Sequence, residues 1–367
     1  MASAVELHAL TKHFGPVRAV GPVDLRVRGG ELVSLLGPSG CGKTTTLRMI
    51  AGLEDPTSGS VIIDGRDVTS WPVERRGVGM VFQTYALFPH LSVYDNVAFG
   101  LSLRRVASGE VKARVHTALE LVGLAQLAKR MPRELSGGQQ QRVSLARSLV
   151  TEPSVLLLDE PLSNLDLKLR EQMRDEIRRL QQRLGITTVY VTHDQGEALA
   201  MSDQMVVMQS GAVEQIGGPR EIYEHPATSF VASFIGQCNM LTGEIIATSP
   251  NARFRTSAGM ELLIAKLSDD WSTGATATLM IRPERVDVRP PTAPSNGTAN
   301  CLRARIRNSI YVGDLVRLEL EVEGSPEPLI AHVSSGRTEL KLASGDELIL
   351  HLPPNDCRVV GAGGPRQ

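Results

Sequence analysis

Short apolar runs alternate with amphipathic stretches along the first part of the chain. The runs of strand length are residues 31–36, 61–64, 155–158, 187–191 and 205–208. Residues 43–51 follow a glycine-rich turn as a predicted helix. Residues 140–150 and 167–184 carry apolar side chains at spacings of three and four, the period of an amphipathic helix. This order predicts an α/β domain, and residues 155–158, apolar throughout, predict a parallel strand buried on both faces.

From about residue 236 the pattern changes to short β-rich runs with no helix between them. These runs are residues 240–247, 262–267, 276–281, 303–310, 315–322, 329–333 and 347–352. Turn-forming clusters, including residues 249–251 and 290–300, separate them. Many short strands in succession predict a small barrel or sandwich. We therefore expect one domain over residues 1–235, an all-β domain over 236–360 and an unstructured glycine-rich tail over 361–367.

Composition and charge narrow the class of protein. The chain has 367 residues, of which 42% are hydrophobic, a length typical of two or three domains. Lys and Arg total 39 against 40 for Asp and Glu, so a nucleic-acid partner held by positive charge is not expected. The cysteines Cys41, Cys238, Cys301 and Cys357 form no CxxC pair, which argues against a zinc ribbon and a disulfide framework.

No predicted segment anchors the chain in a membrane. The N-terminus carries Glu6 and His8 where a signal peptide needs an apolar run, and no apolar stretch approaches the length that spans a bilayer. We expect a soluble, cytoplasmic protein whose membrane role, if any, comes through a partner.

A phosphate-binding loop is the clearest chemical motif. Residues 37–44 fit G-x-x-x-x-G-K-[ST] between a predicted strand and a predicted helix. Glycines let backbone N–H groups point at phosphate oxygens, and the helix N-terminus adds partial positive charge. Lys43 is expected to reach the β- and γ-phosphates, and the Thr44 hydroxyl to ligate Mg²⁺. The alternative, an ordinary turn between strand and helix, fits the complete motif less well.

Carboxylates and a second helix start complete the candidate chemistry. Asp159 and Glu160 follow the strand 155–158, where Asp159 could hold Mg²⁺ and Glu160 could deprotonate an attacking water. The alternative is a solvated acidic turn. Ser136 is a good cap for a helix whose glycines expose N–H groups to an anion. The alternative there is an ordinary capped helix.

Together these motifs resemble an ABC-transporter ATPase. The resemblance adds a Q-loop glutamine in residues 81–83, an LSGGQ signature at 135–139, a Walker B motif at 156–160, a D-loop at 163–166 and a switch histidine in 191–194, all in the family's order. It covers about residues 4–235. It implies a P-loop NTPase domain of the ABC ATPase type, with a helical subdomain at about residues 88–152.

The resemblance also implies roles for single residues. It places Phe14 against adenine, Asp166 across a dimer interface, and Glu160, His193 and Gln83 in catalysis. Thr44, Gln83 and Asp159 are the implied Mg²⁺ ligands. The remaining ATP-binding residues that it implies are Gly37, Pro38, Ser39, Gly40, Cys41, Gly42, Lys43, Thr44, Thr45, Ser136, Gly137, Gly138 and Gln139. The alternatives are a core side chain for Phe14, a backbone-bonding amide for Gln83 and a structural imidazole for His193.

The implied assembly is a homodimer that sandwiches ATP between the P-loop of one subunit and the signature of the other. Residues 80–100 and 191–200 resemble the importer branch of the family, and residues 230–239, 280–288 and 311–314 resemble its transport-associated OB-type barrel domain. That branch implies two membrane-spanning permease subunits, a periplasmic or surface solute-binding protein and a peripheral position on the cytoplasmic side of the inner membrane. The aromatic stretch 85–99 is the candidate surface for the permease, or else packs within the helical subdomain.

The substrate is constrained less than the activity. Residues 42–54, 86–89 and 201–208 resemble the ATPases that import spermidine and putrescine, and their relatives for phosphonates such as 2-aminoethylphosphonate. Sugar and ferric-ion importer ATPases are the alternatives. A soluble ABC protein acting on DNA or ribosomes is disfavoured by the single cassette, the balanced charge and the lack of heptads. A regulatory module, in which the C-terminal barrel senses a metabolite, remains a further alternative.

Overall fold

The computed structural model describes residues 4–268, 270–292, 299–325, 327–336 and 342–361. The chain divides into two compact units, Met1–Arg220 and Glu221–Gln367. The domain boundary expected after residue 235 stays a prediction. Of the tail predicted for residues 361–367, residues 362–367 lie outside the described residues, as do residues 293–298 of the predicted loop.

The first unit contains an antiparallel and a mainly parallel sheet. Its strands are β1 (Val5–Phe14), β2 (Val17–Val27), β3 (Leu32–Leu36), β4 (Ser58–Ile63), β5 (Arg66–Asp67), β6 (Val78–Val81), β7 (Val155–Asp159), β8 (Thr187–Thr192), β9 (Gln204–Gln209) and β10 (Ala212–Gly217). The α-helices that the structure describes are α1 (Lys43–Ala51), α2 (Val93–Leu103), α3 (Ser108–Leu121), α4 (Gly137–Leu149), α5 (Leu167–Leu184), α6 (Gln195–Met201), α7 (Pro219–Glu224) and α8 (Ser229–Phe234).

The parallel sheet positions the site. Its order is β10-β9-β3-β8-β7-β6, with only the edge strand β10 antiparallel. Strands β3, β7 and β8 are buried along their whole length, as the predicted parallel strand at residues 155–158 requires. Since the carboxyl ends of parallel strands meet at one edge, the loops that follow β3, β6, β7 and β8 converge there.

In the antiparallel sheet, of order β2-β1-β4-β5, the sequence predicted β4 but not β1, β2 or β5. For β1 the reason is an irregularity, because Leu7 and Leu10 are both buried although they stand three residues apart. Between them Ala9 adopts a φ of 45°, and its N–H donates to Asp24 Oδ1 at 2.8 Å. A bulge of this kind breaks the alternation of period two that identifies a strand.

Helices α2, α3 and α4 pack against one another, and their buried side chains join those of α5 in one core. Helix α5 has the bounds that the sequence predicts, with Met173 and Ile177 buried. Helix α4 begins three residues before the predicted start at residue 140, because Ser136 caps it reciprocally with Gln139.

The second unit is built mainly from short strands, as the sequence predicts, and these strands pair antiparallel. They are β11 (Asn239–Ala247), β12 (Ala252–Thr256), β13 (Glu261–Ile264), β14 (Thr276–Ile281), β15 (Asp287–Arg289), β16 (Cys301–Val312), β17 (Leu315–Val322), β18 (Leu329–Ser334), β19 (Glu347–His351) and β20 (Arg358–Val360). They form two five-stranded sheets, of order β13-β12-β11-β14-β20 and β15-β19-β16-β17-β18, around one apolar core. The strand predicted at residues 262–267 ends earlier, at Ile264.

Within the described residues, no helix is both long and apolar enough to cross a membrane.

Candidate functional site

The loop between β3 and α1 has the backbone that its glycines permit. Gly40 and Gly42 adopt φ angles of 78° and 101°, a region that side chains with a Cβ disfavour. A Cβ on Gly37 would lie 2.2 Å from the carbonyl oxygen of Met208, so no larger residue fits there. Of the other residues in this loop, Pro38 and Ser39 are exposed and Cys41 is buried. The motif therefore folds into a tight loop that leads into a helix N-terminus.

The side chain of Lys43, the first residue of α1, packs against this loop and does not extend into solvent. This side chain is buried, and its ammonium group donates to the carbonyl oxygens of Gly37 at 2.8 Å and Pro38 at 3.0 Å. Cys41 Sγ lies 3.7 Å from the same nitrogen. The positive charge is thus held where phosphate oxygens would meet the loop.

The first turn of α1 contacts the end of β7. Thr44 Oγ1 donates to Asp159 Oδ1 at 3.0 Å, and Thr45 lies half-buried beside it in sequence. Burial raises the pKa of the Asp159 carboxyl, and the carboxylate of Glu160 adds to the rise, whereas the hydrogen bond from Thr44 opposes it. A hydroxyl and a carboxylate oxygen this close are the hard donors that Mg²⁺ prefers, so these residues fit that ion.

Glu160 is the meeting point of three loops. Its Oε2 accepts a hydrogen bond from Gln83 Nε2 at 3.4 Å and lies 3.2 Å from His193 Nδ1. Gln83, Glu160 and His193 follow the ends of β6, β7 and β8, respectively. Glu160 itself has a φ of 45°, a strained backbone held in part by the hydrogen bond from its N–H to Val191 O at 3.0 Å. The structure thus brings together the three residues that the resemblance places in catalysis, and the Gln83 amide points at Glu160.

Supporting residues to which the sequence analysis gave no individual role surround these loops. Asn164 Nδ2 donates to Gln83 O at 2.8 Å, and it lies 81 positions away along the chain. Glu197 is buried and accepts hydrogen bonds of 2.7 Å from Tyr190 and of 2.7 Å from Thr192, the residue before His193. Burial raises the pKa of Glu197, although both hydroxyl donors oppose the rise. A polar residue on the buried face of α6 is the signal that could have revealed Glu197.

The signature residues lie on a different part of the unit. Ser136 Oγ accepts from Gln139 N at 3.4 Å, and Gln139 Oε1 accepts from Ser136 N at 3.0 Å. Gly137 and Gly138 face the side chains of Leu165 and Leu169. Helix α4 packs on α2, α3 and β6, whereas α1 packs on β2, β7 and β8. The P-loop helix and the signature helix thus pack against different elements of the unit.

The predicted adenine and dimer residues are also placed. Phe14 ends β1 with its side chain 49% exposed, and Lys12 Nζ lies 5.0 Å from its ring centroid. This exposure disfavours the core alternative for Phe14 and leaves a ring face available for stacking. Asp166 caps α5 by accepting from Leu169 N at 3.0 Å.

An apolar groove of about 930 Å³ lies near the Q-loop. Phe82, Phe88, Phe99 and Leu103 line it, and the rings of Phe88 and Phe99 pack at a tilt of 45° with their centroids 4.5 Å apart. Part of the aromatic stretch 85–99 is therefore surface, and part of it, including Tyr85, is core.

Known proteins share this organisation. Residues 20–163 match the family model of the ABC transporter, and residues 279–360 match that of the TOBE domain. The spermidine/putrescine import ATP-binding protein PotA of Acidothermus cellulolyticus is 48% identical over 340 residues, 93% of this chain and 88% of the relative. The Fe(3+) ions import ATP-binding protein FbpC 1 of Rhizobium meliloti is 45% identical over 344 residues, 93% of this chain and 95% of the relative.

Among solved structures, the ATP-binding cassette MJ0796, a dimer in a post-hydrolysis state bound to ADP and Pi, matches with a TM-score of 0.53 and 34% identity. The match covers 59% of this chain and 99% of that one. These findings confirm the predicted fold class, a P-loop ATPase of the ABC type followed by an OB-type β domain. The chain belongs to the ATP-binding proteins of ABC transporters and carries a C-terminal TOBE domain.

Proposed function

We propose that this chain is the subunit that hydrolyses ATP to drive import of a small solute, and that the solute is a polyamine such as spermidine or putrescine. The observation that carries the ATPase assignment is the convergence of Gln83 and His193 on Glu160, beside the pair of Thr44 and Asp159. The relatives named for spermidine and putrescine import support the substrate.

Ferric ion is the second candidate substrate. Relatives named for Fe(3+) import are 45% to 48% identical to this chain, as similar as those named for polyamines. The ATPase need not contact the solute, so its own residues do not separate the two.

The side chains suggest a division of labour in hydrolysis. Glu160 accepts the proton of the attacking water, and Gln83 and His193 orient that water and the γ-phosphate. Lys43 and the N–H groups of the loop hold the β- and γ-phosphates. Thr44, Asp159 and Gln83 would hold Mg²⁺, which supplies charge neutralisation at phosphate oxygens. Catalysis is then mainly positioning and electrostatic stabilisation.

We further propose that the complete site needs a second copy of the chain. Ser136, Gly137, Gly138 and Gln139 begin a capped helix that packs on α2, α3 and β6, whereas the P-loop helix packs on β2, β7 and β8. A partner copy would bring this helix start over the γ-phosphate, with Asp166 near the interface. The dimeric MJ0796 cassette supports this arrangement.

The apolar groove is the proposed contact with two membrane-spanning permease subunits. Its aromatic lining, Phe82, Phe88 and Phe99, fits an apolar segment of a permease loop. Through that contact the protein would sit on the cytoplasmic face of the membrane and act with a solute-binding protein. The predicted absence of a nucleic-acid partner stays a prediction.

Uptake in the native host tests the function. We expect deletion of the gene to abolish uptake of radiolabelled spermidine or putrescine, and the wild-type gene, unlike Glu160→Gln, to restore it. Parallel assays with ferric ion, 2-aminoethylphosphonate and a disaccharide identify the substrate. Unchanged uptake of every solute would overturn the import proposal, and ATP hydrolysis by the purified chain would then favour a soluble ABC ATPase.

A further inference from the structure

A strained turn follows the Q-loop glutamine. Tyr85 and Ala86 adopt φ angles of 59° and 47° in succession, although neither is glycine. Side chains with a Cβ rarely adopt this left-handed conformation, and two in a row require an external hold. The Tyr85 N–H donates to Phe82 O at 2.9 Å, so the turn closes around Gln83. The backbone that carries Gln83 is therefore fixed by whatever holds Tyr85 and Ala86.

Helix α4 provides that hold. Arg147 donates from Nη2 to Tyr85 O at 2.8 Å and from Nη1 to Ala86 O at 2.7 Å. Ser144, one turn earlier on the same helix, donates from Oγ to Tyr85 O at 3.0 Å. The guanidinium thus donates to the carbonyl oxygens of both left-handed residues at once. Its planar arrangement of N–H groups provides this geometry, and an ammonium does not.

Among the described residues, the guanidinium of Arg147 donates to backbone carbonyls and not to a carboxylate. In the part of the chain that the structure describes, no carboxylate forms a salt bridge with Arg147. Its guanidinium carbon instead lies 5.5 Å from the ring centroid of Phe88, which lines the apolar groove. Partial burial lowers the pKa of Arg147, as expected for a cation removed from water without an acidic partner.

The turn leads directly to the catalytic residues. Gln83 O accepts from Asn164 at 2.8 Å, and the Gln83 side chain donates to Glu160 Oε2 at 3.4 Å. Gln83 is thus held on one side by the D-loop and on the other by the turn that Arg147 grips.

We propose that Arg147 is a positioning residue for hydrolysis: by holding Tyr85 and Ala86 in the left-handed turn, it directs Gln83 at Glu160 and ties that contact to the signature helix and to the groove. The inference rests on the proposed ATPase function. It makes one side chain common to the helix that begins at Ser136, the ring of Phe88 and the position of Gln83.

Steady-state kinetics of the full-length chain test the role. We expect Arg147→Lys to lower kcat about tenfold, with the KM for ATP and nucleotide affinity within about twofold of wild type, because the P-loop is untouched. Glycine adopts positive φ without strain, so Ala86→Gly added to Arg147→Lys should restore kcat about threefold. A purely structural arginine would show no such rescue. Arg142→Lys is the matched control, since Arg142 lies on the same helix but pairs with Glu176.

Hydrogen exchange separates this inference from the proposed function. In Arg147→Lys, and not in Arg142→Lys, exchange of the Tyr85 amide should rise about tenfold, whether or not ATP is turned over. Unchanged exchange, or a kcat equal to that of the control, would overturn the role of Arg147 alone. A wild-type chain without ATPase activity would instead overturn the proposed function. If Arg147→Lys does not fold, Arg147→Gln, which lacks the guanidinium, carries the same test, with about tenfold faster exchange of the Tyr85 amide expected and unchanged exchange contradicting the inference.

Discussion

The role of Glu160 gives the sharpest prediction for catalysis. The carboxylate lies 3.4 Å from Gln83 Nε2 and 3.2 Å from His193 Nδ1. A glutamine in its place keeps the length of the side chain and an oxygen for one of these contacts. What Glu160→Gln removes is the base. Thr44, Lys43 and the glycine loop are untouched, so ATP should still bind with wild-type affinity.

The expected loss follows from the value of general-base catalysis. A positioned base contributes about 10²–10⁴-fold, so the barrier should rise by about 3–5 kcal/mol. Phosphate release under saturating ATP and Mg²⁺ measures turnover, and equilibrium binding of ATP measures affinity. The expected result is turnover at 1% of wild type or less, with affinity unchanged.

Glu152→Gln is the matched control. Glu152 also has a left-handed backbone, with a φ of 52°, and its carboxylate is exposed. This variant reports any general effect of replacing a glutamate in that conformation, and its turnover should equal that of wild type. If Glu160→Gln kept more than about a tenth of wild-type turnover, the general-base role would be refuted.

Three further variants test the loop, the buried carboxylate and the adenine contact. Gly37→Ala should destabilise the protein by about 3 kcal/mol in urea unfolding, because its Cβ would lie 2.2 Å from Met208 O. A free energy of unfolding within about 0.5 kcal/mol of wild type, the usual size of the effect of a surface substitution, would contradict this. Burial raises the pKa of Asp159, so the folded state binds its proton more tightly than the unfolded state, and the free energy of unfolding falls as pH rises from the usual aspartate pKa through the raised one. Asp159→Asn should therefore be more stable than wild type at about pH 7 and equal to it near pH 3. Equal stability at both pH values would refute the raised pKa of Asp159. Phe14→Ala should raise the Kd for ATP about tenfold through lost stacking and leave binding of inorganic tripolyphosphate unchanged, whereas equal weakening of both would indicate a structural role.

Some elements could be predicted because their local signals agree with the fold. Helix α5 has a cap at Asp166, a buried stripe through Met173 and Ile177, and a left-handed Gly185 at its end. Its predicted and observed bounds therefore coincide. The P-loop is similar, because the motif itself specifies a strand, a glycine turn and a helix.

Other features depend on contacts between distant residues. Strand β1 was missed because the bulge at Ala9 is completed by Asp24 on the neighbouring strand. The hydrogen bond from Arg147 to Tyr85 O joins residues 62 positions apart, and neither local sequence predicts it. The left-handed backbone of Glu160 is likewise set by packing of the loop and not by its residue type.

The proposed mechanism requires that two chains share each ATP, and sedimentation velocity measures this directly. Glu160→Gln slows hydrolysis and so preserves the state with bound ATP. With Mg²⁺ and ATP the full-length variant should sediment as a dimer, and without nucleotide that species should decline, because ATP adds contacts that only the dimer makes. A variant that binds ATP with wild-type affinity yet shows no gain in dimer at any concentration would contradict the shared site.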